Sequence, residues 1–438
     1  MPVSVAVVGS GPAAFYTTAA LIDSGEDVLI DIIERLPTPY GLIRDGVAPD
    51  HQTTKSITKK FEKTALQEQV RYFGNVEVGR DVQLTELREV YDAVVLCVGA
   101  PGDSTLPIPG NDKIGVIGAA TFVRWYNGHP DFRNLNPDLN ISSAAVIGVG
   151  NVAIDISRLL CLSVEELSTT DLPDYAETAI RQSQLSNVHM IGRRGPTDAK
   201  FTNVELRELG EMAECAPQVR SEQLPDGIEG DYPGRDKRLN ERNLETLRQY
   251  SERSAEDKPK RILFEFFASP AEILGDDRVK GIRMERTQVE DGRAIGTGDY
   301  FDIPCGLVIS AIGYRGAPIA GAPFDDKRGI IPNKDGRVED GLYVAGWIKR
   351  GPSGVISTNR PDGVAIAAYI HNDFGGETRE SKPGRKALQT MLRDRNVRAV
   401  SFDDWKKIEA AEFANAEEGR PRKKFVSIET MLDVLDHS

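Results

Sequence analysis

The chain has 438 residues, room for two or three domains at roughly 150 residues each. Hydrophobic residues make up 40% and charged residues 28%, which argues against a disordered or fibrous chain. With 54 Lys plus Arg against 67 Asp plus Glu, the net charge of −13 argues against a general nucleic-acid binder, although a local basic patch can still meet an acidic protein. No apolar run approaches the roughly 18 residues of a membrane-spanning helix. Met1 and Pro2 lead straight into Val3–Val8 without a leader, so the expectation is a cytoplasmic protein that starts on a core strand. Cys97, Cys161, Cys215 and Cys305 are far apart, with no Cys-x-x-Cys pair, and read as buried reduced thiols. The five histidines lack metal-ligand spacing, so no metal site is expected.

In chain order, Val5–Val8 reads as a buried strand and Gly9-Ser10-Gly11-Pro12-Ala13-Ala14 as a tight turn opening a helix. Gly9 permits the turn, Gly11 lets a pyrophosphate approach the backbone, and Ala14 takes the third glycine position. A second strand, Val28–Ile33, ends at Glu34, 23 residues after Gly11, where an acid can accept bonds from the ribose hydroxyls of an adenosine. Tyr91–Ala100 reads as another buried strand, ending in small residues.

The pattern then recurs. Ala144–Ile147 leads into Gly148-Val149-Gly150-Asn151-Val152-Ala153 and a helical stretch to Leu160. Here the next strand, Val188–Ile191, ends in Gly192-Arg193-Arg194-Gly195 instead of an acid. Two guanidiniums at that place suit a 2′-phosphate, so this site prefers NADP(H) over NAD(H), while the acid-ended first site suits FAD. Flavin and nicotinamide in one chain imply hydride transfer between them. The polar stretch Ser163–Ser186 reads as a surface insertion, and the charged stretch Gln218–Lys260 as surface. Gly306–Tyr314 and Gly341–Trp347 complete the strands.

The motif order predicts an α/β architecture of two doubly wound, Rossmann-like dinucleotide-binding domains, the NADP domain inserted into the FAD domain. The boundaries expected are 1–102 and 329–438 for the FAD part and 103–328 for the NADP part, with Gly-Pro linkers at Pro101-Gly102, Ile108-Pro109-Gly110 and Gly321-Ala322-Pro323.

Beyond the two turns, the sequence carries Pro39–Arg44, Gly46-Val47-Ala48-Pro49-Asp50-His51, Gly74–Gly79, Gly192–Pro196, Glu205-Leu206-Arg207-Glu208, Gly346–Ile356 and Val400–Trp405. Taken together, these resemble the adrenodoxin reductase-type ferredoxin–NADP(+) reductases, over nearly the whole chain. The resemblance implies an FAD enzyme that takes hydride from NADPH and passes single electrons to a separate ferredoxin-type iron–sulfur protein. It implies FAD contacts at Ala13, Glu34, Leu42, Val82, Trp347, Gly354, Val355 and Ile356, and NADP contacts at Gly150, Asn151, Val152, Arg193, Arg194 and Glu205. It also implies His51 and Glu208 as the polar pair beside the nicotinamide, orienting it. Read without the resemblance, His51 caps a helix beginning near Gln52, Glu208 is a solvated helix residue and Trp347 a core aromatic.

An acidic ferredoxin would need a basic surface, for which the candidates are Arg207, Arg235, Lys237, Arg238, Arg242, Lys349 and Arg350, with an ordinary charged helix as the alternative. Tyr232-Pro233-Gly234 stands where the mammalian members carry further basic residues. Among competing functions, a thioredoxin reductase is set aside by the lack of Cys-x-x-Cys. A glutamate-synthase-type input subunit is set aside by the lack of cysteine clusters before Gly9. A small-acceptor flavin reductase (NADPH oxidase or quinone type) and a non-catalytic dinucleotide sensor stay open.

Overall fold

The computed structural model describes residues 2–25, 27–228, 233–254, 257–375 and 382–437. These divide into two compact units. The first comprises Met1–Gly102, Asn127–Asp131 and Tyr314–Ser438, and the second Asp103–Tyr126 and Phe132–Gly313.

In the first unit six strands form one sheet in the order Arg337–Glu339, Leu342–Val344, Ala93–Leu96, Val3–Val8, Val28–Ile33, Val70–Phe73. All neighbours are parallel except the edge pair Arg337–Glu339 and Leu342–Val344. Val3–Val8 is buried throughout, as a strand covered on both faces must be. One face carries Val5, Val7, Phe15, Ile30, Ile32 and Trp405, the other Ala6, Val8, Leu84, Leu87 and Leu96. The strand order reverses at Val3–Val8, which opens a crevice at the carboxyl ends of this strand and Ala93–Leu96.

The second unit repeats the plan with an all-parallel sheet in the order Val116–Gly118, Leu307–Ser310, Ser143–Ile147, Asn187–Ile191, Lys260–Glu265, Cys215–Val219. It reverses at Ser143–Ile147. An antiparallel sheet of Ala268–Leu274, Gly281–Glu290 and Arg293–Ile303 is added to it, a feature absent from the sequence expectation. Both sheets are doubly wound, as the motif order predicted.

The units' limits differ from the expected ones. Tyr314–Arg328 belongs with the first unit, where the Gly316 N–H donates to Gly329 O at 3.0 Å and Tyr314 packs edge-on against Trp347 at 5.6 Å. So does the excursion Asn127–Asp131, held by Lys424 Nζ to Asn127 O at 3.0 Å and by Arg35 to Asp131 at 2.6 Å. Nor is 163–186 only a surface insertion. Its helices Val164–Leu167 and Asp174–Arg181 bury Leu167, Ala176 and Ile180. Within 218–260, the helix Gly234–Glu252 likewise buries Asn243, Leu244, Leu247 and Tyr250. Among the described residues, no helix is long and apolar enough to cross a membrane.

Candidate functional site: two glycine turns

In the first unit the chain turns sharply after Val8. Gly9 sits at φ +99°, and a Cβ there would stand 2.6 Å from Cys97 O, so only glycine fits. Its N–H donates to Ile33 O at 2.8 Å, and the Cys97 N–H to Val8 O at 2.7 Å, which ties the turn across three strands. Gly11 is the N-cap of the helix Pro12–Asp23, without a side-chain cap, and a Cβ there would meet nothing within 4 Å. Space and unbonded N–H groups therefore coincide at a helix N-terminus, the arrangement that suits a phosphate. The loop above is drawn close as the Tyr40 N–H donates to Ser10 O at 3.0 Å. Leu42, half-buried, begins the short helix Leu42–Asp45 in this loop.

Glu34 closes the site at the end of its strand. Its carboxylate accepts from Ser10 N at 3.0 Å, Ser10 Oγ at 2.7 Å and Leu36 N at 3.2 Å. Burial nevertheless holds this carboxyl above its ordinary pKa, the hydrogen bonds from Ser10 and Leu36 opposing the shift. Ser10 was missed in the sequence, although a hydroxyl in the middle of a glycine turn opposite an acid is a readable signal.

Ala13 is buried, and a Cβ on Gly346, at φ +78°, would approach its methyl to 2.7 Å. That contact places Trp347 beside the first turn, half-buried, its indole N–H donating to Ser353 O at 3.1 Å. Gly354 turns at φ +81° and Val355, 59% exposed, donates its N–H to Thr358 Oγ1 at 3.0 Å. Ile356, half-buried, opens the turn that leads into the helix Asn359–Phe374. The Val82 side chain is buried in the core with Val76, Leu84 and Leu87, which leaves its backbone to face a ligand.

The second unit builds the same turn. Gly148 lies at φ +143°, and a Cβ there would fall onto the Ala311 carbonyl oxygen. The Gly148 N–H donates to Ile191 O at 2.9 Å and the Ala311 N–H to Ile147 O at 2.8 Å. Gly150 is the uncapped N-cap of Asn151–Cys161, again with open space where a Cβ would be. Asn151 Oδ1 accepts from Thr202 N at 2.8 Å, and the Lys200 N–H donates to Val149 O at 2.8 Å, which pins the loop 195–202 over the turn. Val152 is half-buried in the first helical turn.

At the end of the neighbouring strand the two arginines part company. Arg193 is exposed and has no ion-pair partner among the described residues, whereas Arg194 is paired with Asp198 at 2.9 Å and donates to Gly292 O at 3.3 Å. Thr287 Oγ1 donates to Arg193 O at 2.7 Å and fixes the backbone there.

Glu205 and Glu208 lie on the helix Asn203–Glu208, capped by Thr202. Glu208 is not a purely solvated residue: Arg158 stands 3.7 Å from it and pairs with Asp155 at 2.9 Å. Burial lowers the Arg158 pKa, while Glu208, Glu205 and Glu166 oppose the shift. His51 belongs to the first unit, at the N-cap position of Gln52–Lys55, and makes no side-chain cap.

The basic candidates also separate. Arg207, Lys237, Arg238 and Arg242 are exposed, the last two one helical turn apart on Gly234–Glu252. The Arg235 side chain and Tyr232 lie outside the described residues. Lys349 and Arg350, by contrast, turn inward to Asp362, Lys349 at 2.9 Å, while Arg350 also donates to Asn359 Oδ1 at 3.1 Å. Asp362 accepts from Gly346 N at 3.2 Å as well, so this pair of cations steadies the Trp347 segment. All four cysteines are buried and free, and burial pushes the Cys305 thiol to about 12.

No family model matches the chain. Among curated proteins it is 42% identical over 452 residues to the NADPH-ferredoxin reductase FprA of Mycobacterium tuberculosis, covering 99% of both chains. It is 40% identical over 458 residues to the mitochondrial NADPH:adrenodoxin oxidoreductase of Arabidopsis thaliana, covering 98% of this chain and 95% of that one. The human mitochondrial enzyme is 42% identical, with 99% of this chain and 92% of that one covered. The structure of M. tuberculosis FprA in complex with NADPH superposes with a TM-score of 0.94 at 40% identity, over 99% of each chain. With two such turns in two doubly wound units, and with likeness of this extent, the chain belongs to the family of NADPH:adrenodoxin oxidoreductases and NADPH-ferredoxin reductases.

Proposed function

We propose that the first glycine turn holds FAD and the second NADP(H), in an enzyme that carries electrons from NADPH to a ferredoxin-type iron–sulfur protein. The observation that carries the assignment is the contrast between two turns of one geometry, one closed by a half-buried, hydrogen-bonded carboxylate and the other by an exposed guanidinium with no ion-pair partner among the described residues. Both sites pass a test of fit, since Gly11 and Gly150 each leave the space that a phosphate would fill before uncapped helix N-H groups. Bound FAD supplies the capacity to take two electrons from NADPH and release them singly.

The chain's own residues do the rest. Gly11 and the following helix take the FAD pyrophosphate, and Glu34, steadied by Ser10, accepts from the adenosine ribose. Ala13, Leu42, Trp347 and the Gly354–Ile356 backbone line the remainder, while Val82 supports the site from within the core. Gly150, Asn151 and Val152 take the NADP(H) pyrophosphate, and Arg193 takes the 2′-phosphate, with Arg194 sharing its charge with Asp198. Glu205 is assigned to the same nucleotide. His51 and Glu208 are orienting residues for the nicotinamide, Glu208 itself held by Arg158.

Arg207, Arg238 and Arg242 are assigned to docking an acidic iron–sulfur protein. Lys349 and Arg350 drop out of that surface because Asp362 already engages them. A cytoplasmic location belongs to the same proposal, supported by four free buried thiols that suit a reducing compartment, and cell fractionation checks it.

Anaerobic titration of the purified holoprotein tests the cofactor reading. Flavin bands that bleach at near-stoichiometric NADPH, and only at far higher NADH, are expected. A flavin that NADPH leaves oxidised would overturn it. Arg238→Glu should slow ferredoxin reduction and leave ferricyanide reduction intact; an equal loss of both would make Arg238 structural.

A further inference from the structure

The second turn would face more negative charge than the first, where Gly11 and its helix take a pyrophosphate without a cation. NADP(H) brings a pyrophosphate and a 2′-phosphate, and Arg194 is committed to Asp198 at 2.9 Å. In the turn itself Val149 occupies the place held by Ser10 in the first, so no hydroxyl is available, and the Asn151 side-chain oxygen is engaged by Thr202 N. Lys200 is exposed, has no ion-pair partner among the described residues, and has its backbone N–H on Val149 O at 2.8 Å. Ala199 and Phe201 on either side are buried, so the alternation of an extended chain turns Lys200 outward. Nearby, the position of a Cβ on Gly150 is open space in front of the helix Asn151–Cys161, which has no acid in its first turn.

Resting on the reading that this turn binds NADP(H), we propose that Lys200 is a further phosphate-binding residue that holds the pyrophosphate and not the 2′-phosphate. The division of labour follows from where each backbone is fixed. Arg193 is anchored by Thr287 at the end of the strand Asn187–Ile191, the ribose end, whereas Lys200 is anchored on the glycine turn, the pyrophosphate end. An ammonium on a flexible four-carbon stem suits a pyrophosphate as a point charge, and a planar guanidinium suits a terminal phosphate bidentately.

The test is calorimetric binding to the oxidised, FAD-loaded protein, comparing wild type with Lys200→Ala and Lys200→Arg. The ligands are NADP+, NAD+ and 2′-AMP, which carries a 2′-phosphate and no pyrophosphate. Lys200→Ala should weaken NADP+ and NAD+ by the same factor, about five- to tenfold. It should leave 2′-AMP unchanged, and Lys200→Arg should restore most of the affinity. Flavin content and melting temperature, unchanged in both variants, show that the fold is intact. An unaltered NADP+ affinity in Lys200→Ala, with wild type binding normally, overturns this inference alone. So does an equal loss for 2′-AMP, which would move Lys200 to the ribose end. A wild-type chain that binds no NADP+ overturns the reading of the second turn and this inference with it.

Discussion

Tyr40 and Lys200 make the same hydrogen bond in different units. Each donates its backbone N–H to the carbonyl of the middle residue of a glycine turn, Ser10 in one case and Val149 in the other. Tyr40 brings a buried ring packed against Phe15 and Trp405, whereas Lys200 brings an exposed ammonium. The same contrast runs through both turns. Gly9 against Cys97 O repeats as Gly148 against Ala311 O, while the residue that closes the strand end changes from Glu34 to Arg193. The backbone fixes where a dinucleotide lies, and a few side chains decide which one.

The largest expected effect breaks the shared backbone. Gly9→Ala and Gly148→Ala each force a Cβ onto a carbonyl oxygen at a positive φ, where nothing flexible can yield, and each should cost more than about 3 kcal/mol. Gly9→Ala is expected to purify without flavin, and Gly148→Ala to keep flavin and lose NADP+ binding, read from the visible spectrum and calorimetry. Flavin loss in both would end the separation of roles between the turns.

Next comes the ribose end. Arg193→Ala should weaken NADP+ about tenfold to hundredfold and leave NAD+ nearly unchanged, while Arg194→Ala should cost much less. If the two arginines prove equivalent, the Asp198 pairing does not govern charge at this end. Asp198→Ala sharpens the point by releasing Arg194 and should tighten NADP+ by about threefold, the modest scale of a partly exposed ion pair. Weaker binding instead would mean that Asp198 orients Arg194 for the ligand.

Much of this comparison was legible in the sequence, because each turn is local. Strand, Gly-x-Gly and helix lie within about twenty residues, and the acid or arginines follow at the end of the next strand. What escaped depends on contacts between distant segments. Asp362 reaches Lys349 and Arg350 only because the Asn359–Phe374 helix folds back, so two cations that read as a docking surface are internal ties. Arg158 reaches Glu208 across two helices, which no helical periodicity could show. The return of Tyr314–Arg328 to the first unit is likewise set by Gly329, Ile348 and Trp347, after the linker-like glycines and prolines had suggested a later boundary.

The smallest effect concerns the acid that sets the first turn apart. Glu34 lies where burial outweighs three hydrogen bonds, so its pKa in the folded chain is raised above the ordinary 4.5. A carboxyl raised on folding contributes stability that is fully present below its unfolded pKa and lost as pH rises through the folded value. Flavin-depleted protein should therefore lose a little stability as pH rises from about 4.5 through that raised pKa, the direction opposite to that of a salt-bridged carboxylate. Glu34→Gln cannot titrate and should flatten this part of the profile, whatever it does to absolute stability through the bonds to Ser10 and Leu36. No such group closes the second turn, so Arg193→Ala should leave the same slope untouched. Melting temperatures of the three proteins across this pH range decide it. A slope that survives in Glu34→Gln would assign the titration to another carboxyl and remove the electrostatic half of the contrast between the turns.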